Sequence, residues 1–302
     1  MSVVDRLGQL RVFAKVVERG SLSRAARDLA VTQPTVSKAL SALEASLSTR
    51  LLLRSTRRVT VTDAGRRYYL RCREVVERLE EADAELADDR EPRGTLRLHG
   101  PTVLGEMFLA PIAVAFQRRY PQVRCDLTCL DSFVDLVAEG ADLAIRLGQV
   151  SDPSLVRRRL GTMERLLVAA PRYLKARGAP RTPAALAEHA NVRFSGLPWG
   201  NSLTLTSPRG PVSVELQPGF VSNNAVALRH ALVGGLGVGL VTRWLVDQEL
   251  KRGQLVRVLP QSPPPPLEVN AVFPSARFIP TRARLYVEFL IESLRGKPGM
   301  SV

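Results

Sequence analysis

Residues 20–58 read GSLSRAARDLAVTQPTVSKALSALEASLSTRLLLRSTRR. Gly20 closes a first helical pattern carried by Leu7, Leu10, Ala14 and Val17. Ser21 is a capping residue for a second helix, whose inner face is Ala25, Ala26 and Leu29, small enough for close helix approach. After the turn Ala30-Val31-Thr32, Thr32 caps a third helix and Pro34 falls in its first turn, where a missing N–H costs nothing.

Val36, Leu40 and Leu43 form the buried stripe of that third helix. Its opposite face carries Gln33, Pro34, Thr35, Ser37, Lys38 and Ser41, side chains that are short or hydrogen-bonding, as a helix in a major groove requires. On an isolated helix such a face would read as merely solvated. The small-residue helix before it and the basic segment after it turn the reading toward DNA. Leu51–Leu53 and Val59–Val61 form two short strands around a tip in which Arg54, Arg57 and Arg58 would lie along phosphates or enter the minor groove. With Ser21 and Thr32 at the helix starts, these residues make up the expected DNA surface. The layout is a winged helix-turn-helix.

Charge supports that placement. The chain carries a formal net charge of +14, and residues 1–62 hold eleven Arg or Lys against four acids. Residues 63–90 reverse the sign, with six against nine. The positive density therefore concentrates where phosphates would sit.

Thr62-Asp63-Ala64-Gly65 caps a long helix reaching about Ala87. Along it Tyr69, Cys72, Val76, Leu79 and Leu86 follow a 3-4 spacing. A helix of about 37 Å has more apolar stripe than one small domain can cover, so a dimer seam is expected, with packing on the first helix alone as the other possibility. The composition shifts at residues 88–94, read as a hinge.

Beyond it, short apolar strands alternate with helices. The expected pattern is Leu96–His99, helix Val103–Arg119, Val123–Cys129, helix Phe133–Glu139 and Asp142–Ile145, around a mostly parallel sheet. A second unit begins near Met163, and the chain returns to the first after Pro263–Pro266. The expected fold class is α/β. A DNA-binding domain at 1–62 is followed by a linker helix at 63–90 and a two-lobed effector domain at 91–302. Lobe I takes about 91–162 and 268–302, and lobe II about 163–267.

The cleft between two such lobes suits anion capture. Gly100-Pro101-Thr102-Val103 and Ser222-Asn223-Asn224 each lead from a strand into a helix start, where free N–H groups bind carboxylates. Arg146 lies just past a strand end. Thr102 and Ser222 could equally be simple caps.

Other features point away from catalysis. There are three histidines, with no HExxH, CxxC or GxSxG, so no catalytic residue, metal or cofactor is expected. Gly234–Gly239 follows a helix and precedes a strand, the reverse of a dinucleotide loop. Cys125 and Cys129, roughly 13 Å apart along one strand, cannot form a disulfide; Cys72, Cys125 and Cys129 are read as core residues, with a redox sensor as the alternative. The opening MSVVDRLGQLRVF has charges inside its apolar pattern, unlike an export signal, and Ala231–Thr242 is too short to span a bilayer. A cytoplasmic protein without membrane insertion is expected.

The run from Phe13 to Glu44, with Gly20-Ser21-Leu22-Ser23-Arg24-Ala25-Ala26 and Val31-Thr32-Gln33-Pro34-Thr35-Val36-Ser37-Lys38, resembles the N-terminus of LysR-type transcriptional regulators. The likeness continues through Arg50-Leu51-Leu52, Arg54 and Thr60-x-Thr62-x-Ala64-Gly65. The resemblance implies a winged helix-turn-helix, a dimerising linker helix and a periplasmic-binding-protein-like effector domain, commonly in a tetramer. Gln33, Pro34, Ser37 and Lys38 match recognition-helix positions, and Arg54 a phosphate contact. Thr102, Arg146, Ser195 and Asn223 match effector-cleft positions. Two departures stand out: Ser48 replaces the usual glycine after Leu47, and Lys38 stands where Arg is common, losing bidentate guanine recognition.

The function expected is control of promoters in response to a small, anionic effector. The partners would be operator DNA, a second copy of the chain and RNA polymerase. The competing readings are a constitutive nucleoid-type DNA binder and a small-molecule binding or catalytic module with a non-DNA oligomerisation domain.

Overall fold

Capping chemistry starts the opening helices where the sequence places them. In the computed structural model, residues 6–54, 59–86, 91–132, 134–150, 152–153, 155–196, 201–207, 210–274 and 279–302 are described. Two compact units are present: Met1–Pro92 with Val134–Ala141 and Arg277–Thr281, and Arg93–Phe133 with Asp142–Ala276 and Arg282–Val302.

The first unit holds α1 (Arg6–Arg19), α2 (Leu22–Asp28), α3 (Gln33–Ser46), the hairpin β1 (Leu52–Arg54) and β2 (Val59–Val61), and α4 (Asp63–Leu86). Ser21 accepts the Arg24 amide and Thr32 the Thr35 amide, each at 3.4 Å. Ala25 and Ala26 bring α2 against Phe13, Val16, Val36, Leu40 and Leu43 in one core, which Leu51, Leu52 and Cys72 complete. Ser48 adopts φ 50°, so the turn that lacks glycine still takes the left-handed conformation.

The start of α4 is pinned to the wing. Thr62 Oγ1 accepts the Gly65 amide at 2.9 Å and donates to the carbonyls of Arg50 and Leu51. A Cβ at Gly65 would lie 2.1 Å from the Leu51 carbonyl oxygen, so only glycine fits there. The apolar stripe expected at a dimer seam turns inward along the described part of α4, where Cys72 and Val76 are both buried. Cys72 belongs to the core of this unit, with Tyr69 packed against it, while neighbouring Val75 is 49% exposed.

The helix expected over Phe133–Glu139 does not form; Phe133 itself lies outside the described residues. Asp135 Oδ1 instead accepts the amides of Val137 (2.8 Å) and Ala138 (3.1 Å), closing a single turn that ends at left-handed Gly140.

The second unit has two lobes. The chain forms β3 (Gly94–Gly100), α5 (Thr102–Leu104), a π-helical turn (Gly105–Leu109), α6 (Ala110–Arg119), β4 (Val123–Cys129), β5 (Leu143–Leu147) and β6 (Val156–Met163). It then crosses to β7 (Arg165–Ala169), α7 (Pro171–Arg177), a 3-10 turn (Ala184–Glu188), β8 (Ala190–Phe194), β9 (Ser202–Leu205), β10 (Val212–Glu215) and β11 (Gln217–Ser222). After α8 (Ala225–Val233), β12 (Val238–Thr242), α9 (Arg243–Lys251) and β13 (Val256–Val258) it returns as β14 (Leu267–Phe273), α10 (Thr281–Leu294) and β15 (Met300–Ser301).

The sheets are ordered β15-β6-β14-β5-β3-β4 and β11-β8-β12-β7-β13. They are mixed rather than mostly parallel. β3, β4 and β5 run parallel, as do β8, β11 and β12, but the strands beside the crossovers, β6, β14, β7 and β13, pair antiparallel. A chain that leaves one lobe and comes back must run those strands in opposite senses. The expected single helix over Val103–Arg119 is interrupted by the π turn, where the Ala110 amide reaches Gly105 O; Pro111, without an N–H, follows directly.

Buried polar pairs lock the first lobe. Asp142 Oδ2 accepts the Arg97 amide at 2.9 Å and lies 3.3 Å from the Arg282 guanidinium; both side chains are almost wholly buried. At the crossover, Glu164 pairs with Arg243 (3.1 Å) and Arg257 (2.7 Å).

Candidate nucleic-acid interface and effector cleft

The amphipathic split of α3 decides the first site. Val36, Leu40 and Leu43 are fully buried, which leaves Gln33, Pro34, Thr35, Lys38 and Ser41 exposed and Ser37 half-buried. Ser23 on α2 donates to Gln33 Oε1 at 3.0 Å, so the Gln33 amide is oriented with its NH2 group outward. The Thr32 and Thr35 hydroxyls lie 2.8 Å apart. Of the arginines expected at the hairpin tip, Arg54 ends β1 opposite Val59, while Arg57 and Arg58 lie outside the described residues.

One residue at this site escaped the sequence reading. Glu44 Oε1 accepts the amides of Leu51 (2.9 Å) and Leu52 (3.0 Å), tying the last turn of α3 to the first wing strand. Two charge-assisted bonds on one oxygen hold the wing at a set angle to the recognition face. An ion pair between Arg19 and Asp28 fixes α1 to α2 in the same way.

The second site lies where parallel strands end. Gly100, Cys129 and Leu147 close β3, β4 and β5 on one side of the first lobe's sheet. Pro101 precedes α5 in extended conformation and makes no side-chain cap; Thr102 follows it half-buried, and Val103 is buried. The Thr102 amide is not open to an incoming anion as expected. It donates to Asp131 Oδ1 at 3.1 Å. Arg146 is 9% exposed, donates to the Ser132 carbonyl at 3.3 Å, and has its pKa lowered by burial. The Leu130–Ser132 loop thus joins Thr102 to Arg146.

In the second lobe, Ser195 and Ser222 sit side by side at the ends of β8 and β11, the Ser195 amide donating to Ser222 O at 2.9 Å. Ser222 Oγ accepts the Asn224 amide at 3.1 Å. Asn224, rather than Asn223, caps α8 through Ala227 N at 3.0 Å; Asn223 is exposed beside it. The two lobes touch through Phe108 and Trp244, whose indole Nε1 donates to Met163 Sδ at 3.2 Å.

Burial raises all three cysteine thiols, Cys72 and Cys125 to about 11, which keeps them in the poorly nucleophilic thiol form near neutrality. Among the described residues no His, Cys, Asp or Glu cluster has metal-holding geometry, and no helix is long and apolar enough to cross a membrane.

Two family patterns match the chain: the bacterial regulatory helix-turn-helix of the LysR family over residues 7–66 and the LysR substrate binding domain over residues 89–295. The HTH-type transcriptional activator AaeR of Escherichia coli is 35% identical over 292 residues, covering 96% of this chain and 94% of that protein. CrgA of Neisseria meningitidis, a LysR-type transcriptional regulator, is similar in structure with a TM-score of 0.61 and 30% identity, over 96% of this chain and 99% of its own. The full-length Vibrio cholerae virulence activator AphB gives a TM-score of 0.57 at 28% identity, over 95% and 98%.

Proposed function

Since the chain belongs to the LysR family of transcriptional regulators, we propose that its first unit reads an operator and its second unit gates that reading with a small anionic effector. The α3 face enters the major groove, with Gln33, Thr35, Ser37, Lys38 and Ser41 toward base edges and Pro34 in contact with apolar groups. Ser21 and Thr32 at the helix starts, and Arg54, Arg57 and Arg58 on the wing, contact phosphates. The observation that carries this reading is the complete burial of Val36, Leu40 and Leu43 beneath an exposed polar face already oriented at Gln33.

Two copies pair along α4, with exposed Val75 at the seam, and pairs assemble into a tetramer; RNA polymerase is the further partner, and the cytoplasm the compartment. The effector sits among Pro101, Thr102, Val103, Arg146, Ser195, Ser222 and Asn223. Arg146 supplies its counter-charge, because a guanidinium that burial has largely stripped of water gains most from an anion. Asp131 guards the Thr102 amide and moves aside when the anion binds.

A footprinting titration at several salt concentrations tests the DNA half. Arg54→Ala should weaken binding to all sequences and lower the salt slope by about one, whereas Gln33→Ala should mainly relax specificity. Undiminished affinity of Arg54→Ala would refute the wing contact. Equal affinity for every sequence in the unmutated protein would favour a nucleoid-type binder.

A further inference from the structure

At the far end of the second lobe's sheet lies a groove the regulator reading does not use. The strand β8 runs from Ala190 to Phe194, just before the proposed cleft residue Ser195, which lies about 16 Å from Ala190 at strand rise, and the groove opens at the Ala190 end. It has a volume of about 510 Å³ and runs between α7 and the turn Gly234-Gly235-Leu236. α7 presents Arg172, Tyr173, Ala176 and Arg177 to it, the i, i+1, i+4, i+5 set of one helical face.

The glycine run explains why the groove stays open. Gly235 has φ 75°, and a Cβ there would come 2.8 Å from Arg172 Nε; a Cβ at Gly237 would meet the Ala190 carbonyl oxygen at 2.1 Å. The turn therefore presses against the strand while Arg172 lies across it, donating to the Val233 carbonyl at 2.8 Å. That bond sets the guanidinium at the rim. The floor is equally fixed, since the Tyr173 hydroxyl accepts the Ala190 amide at 3.1 Å and meets His189 Nδ1 at 3.1 Å.

Charge and polarity in the groove are unspent. Among the described residues Arg177 and Glu188 make no ion pair or hydrogen bond, with each other or elsewhere, although both line the groove. Leu236, the apolar residue on the opposite wall, is 51% exposed. Two guanidinium groups, an apolar wall and a separate carboxylate describe a ligand with an anionic end, a hydrocarbon middle and a hydrogen-bond donor.

We propose that this groove is a second small-molecule site, distinct from the effector cleft, for a short amino acid. The carboxylate would pair with Arg172 and Arg177, the hydrocarbon chain would lie over Tyr173 and Leu236, and the ammonium group would reach Glu188. The groove volume suits a small metabolite rather than a protein segment.

The test is calorimetric titration of the full-length protein with 6-aminohexanoate, and with hexanoate as the probe lacking the donor. Saturable binding of 6-aminohexanoate is expected, weakened about tenfold or more by Arg177→Glu and unaffected by Arg146→Gln in the cleft. Glu188→Gln should weaken 6-aminohexanoate and leave hexanoate unchanged. Lys175→Glu, on α7 but off the groove face, controls for general charge. No saturable binding, loss in Arg146→Gln with retention in Arg177→Glu, or equal losses in Lys175→Glu and Arg177→Glu would each overturn the proposal.

Discussion

Phe108 and Trp244 meet edge to face, their ring centroids 5.5 Å apart and their planes at 87°, one ring from each lobe of the second unit. Phe108 belongs to the π-helical turn that follows Thr102, and Trp244 to the first turn of α9. A π turn holds its residues in a register that a local rearrangement can change.

This pair gives an optical report on the cleft. Phe108→Leu should shift Trp244 emission without unfolding the domain. A double-mutant cycle with Trp244→Leu should give a coupling of about 0.5–1.5 kcal/mol, read from urea midpoints. A coupling near zero would mean the rings are neighbours without energetic contact.

Ser48 is a stability gain left unused. An L-residue in the left-handed region costs about 1–2 kcal/mol, and glycine relieves most of it. Ser48→Gly should raise the unfolding free energy of the DNA-binding unit by about 1 kcal/mol, read as a higher urea midpoint with an unchanged m-value. A lower midpoint would show that the Ser48 side chain has a stabilising partner.

Glu44 should matter more than its half-buried surface position suggests. Glu44→Ala strands the Leu51 and Leu52 amides and should cost about 1–3 kcal/mol; Glu44→Gln keeps an acceptor and should recover part of it. Operator affinity should fall in the same order. If Glu44→Ala unfolds normally yet binds DNA as before, the wing angle is set elsewhere.

The buried thiols predict an alkaline loss of stability. Burial lifts Cys72 and Cys125 to about 11 from an ordinary value of 9.0, so the folded chain keeps protons that the unfolded chain releases. Their contribution is complete below about pH 9 and declines as pH rises toward 11. Melting temperatures across that window should fall, and Cys125→Ala should flatten the slope. A slope unchanged in Cys125→Ala would assign it to other groups.

Much of this architecture was legible in the residues. β2 and β4 begin and end where Val59–Val61 and Val123–Cys129 were read, because apolar residues alternate along both. β6 went unread since Arg157, Arg158 and Arg159 are exposed on it and break the apolar alternation. The helix expected near Phe133 stops after one turn: Asp135 caps its start, but left-handed Gly140 ends it before a second turn can form. Site roles that depend on distant chain segments were hidden for a different reason. Asp131 reaches Thr102 and Glu44 reaches Leu51 only once the fold brings them together, and no spacing rule encodes such pairs.

The joints at Glu44, Thr62 and Gly65 make the recognition helix, the wing and the root of α4 one rigid piece. α4 then works as a lever whose arm is its own 24 residues, about 36 Å. Tilting that arm by about 10° sweeps its reading end through about 6 Å, close to two base-pair steps of 3.4 Å. Under the proposed pairing along α4, a head that cannot flex at its root would turn a small tilt of that helix into a shift of about two base pairs along the duplex.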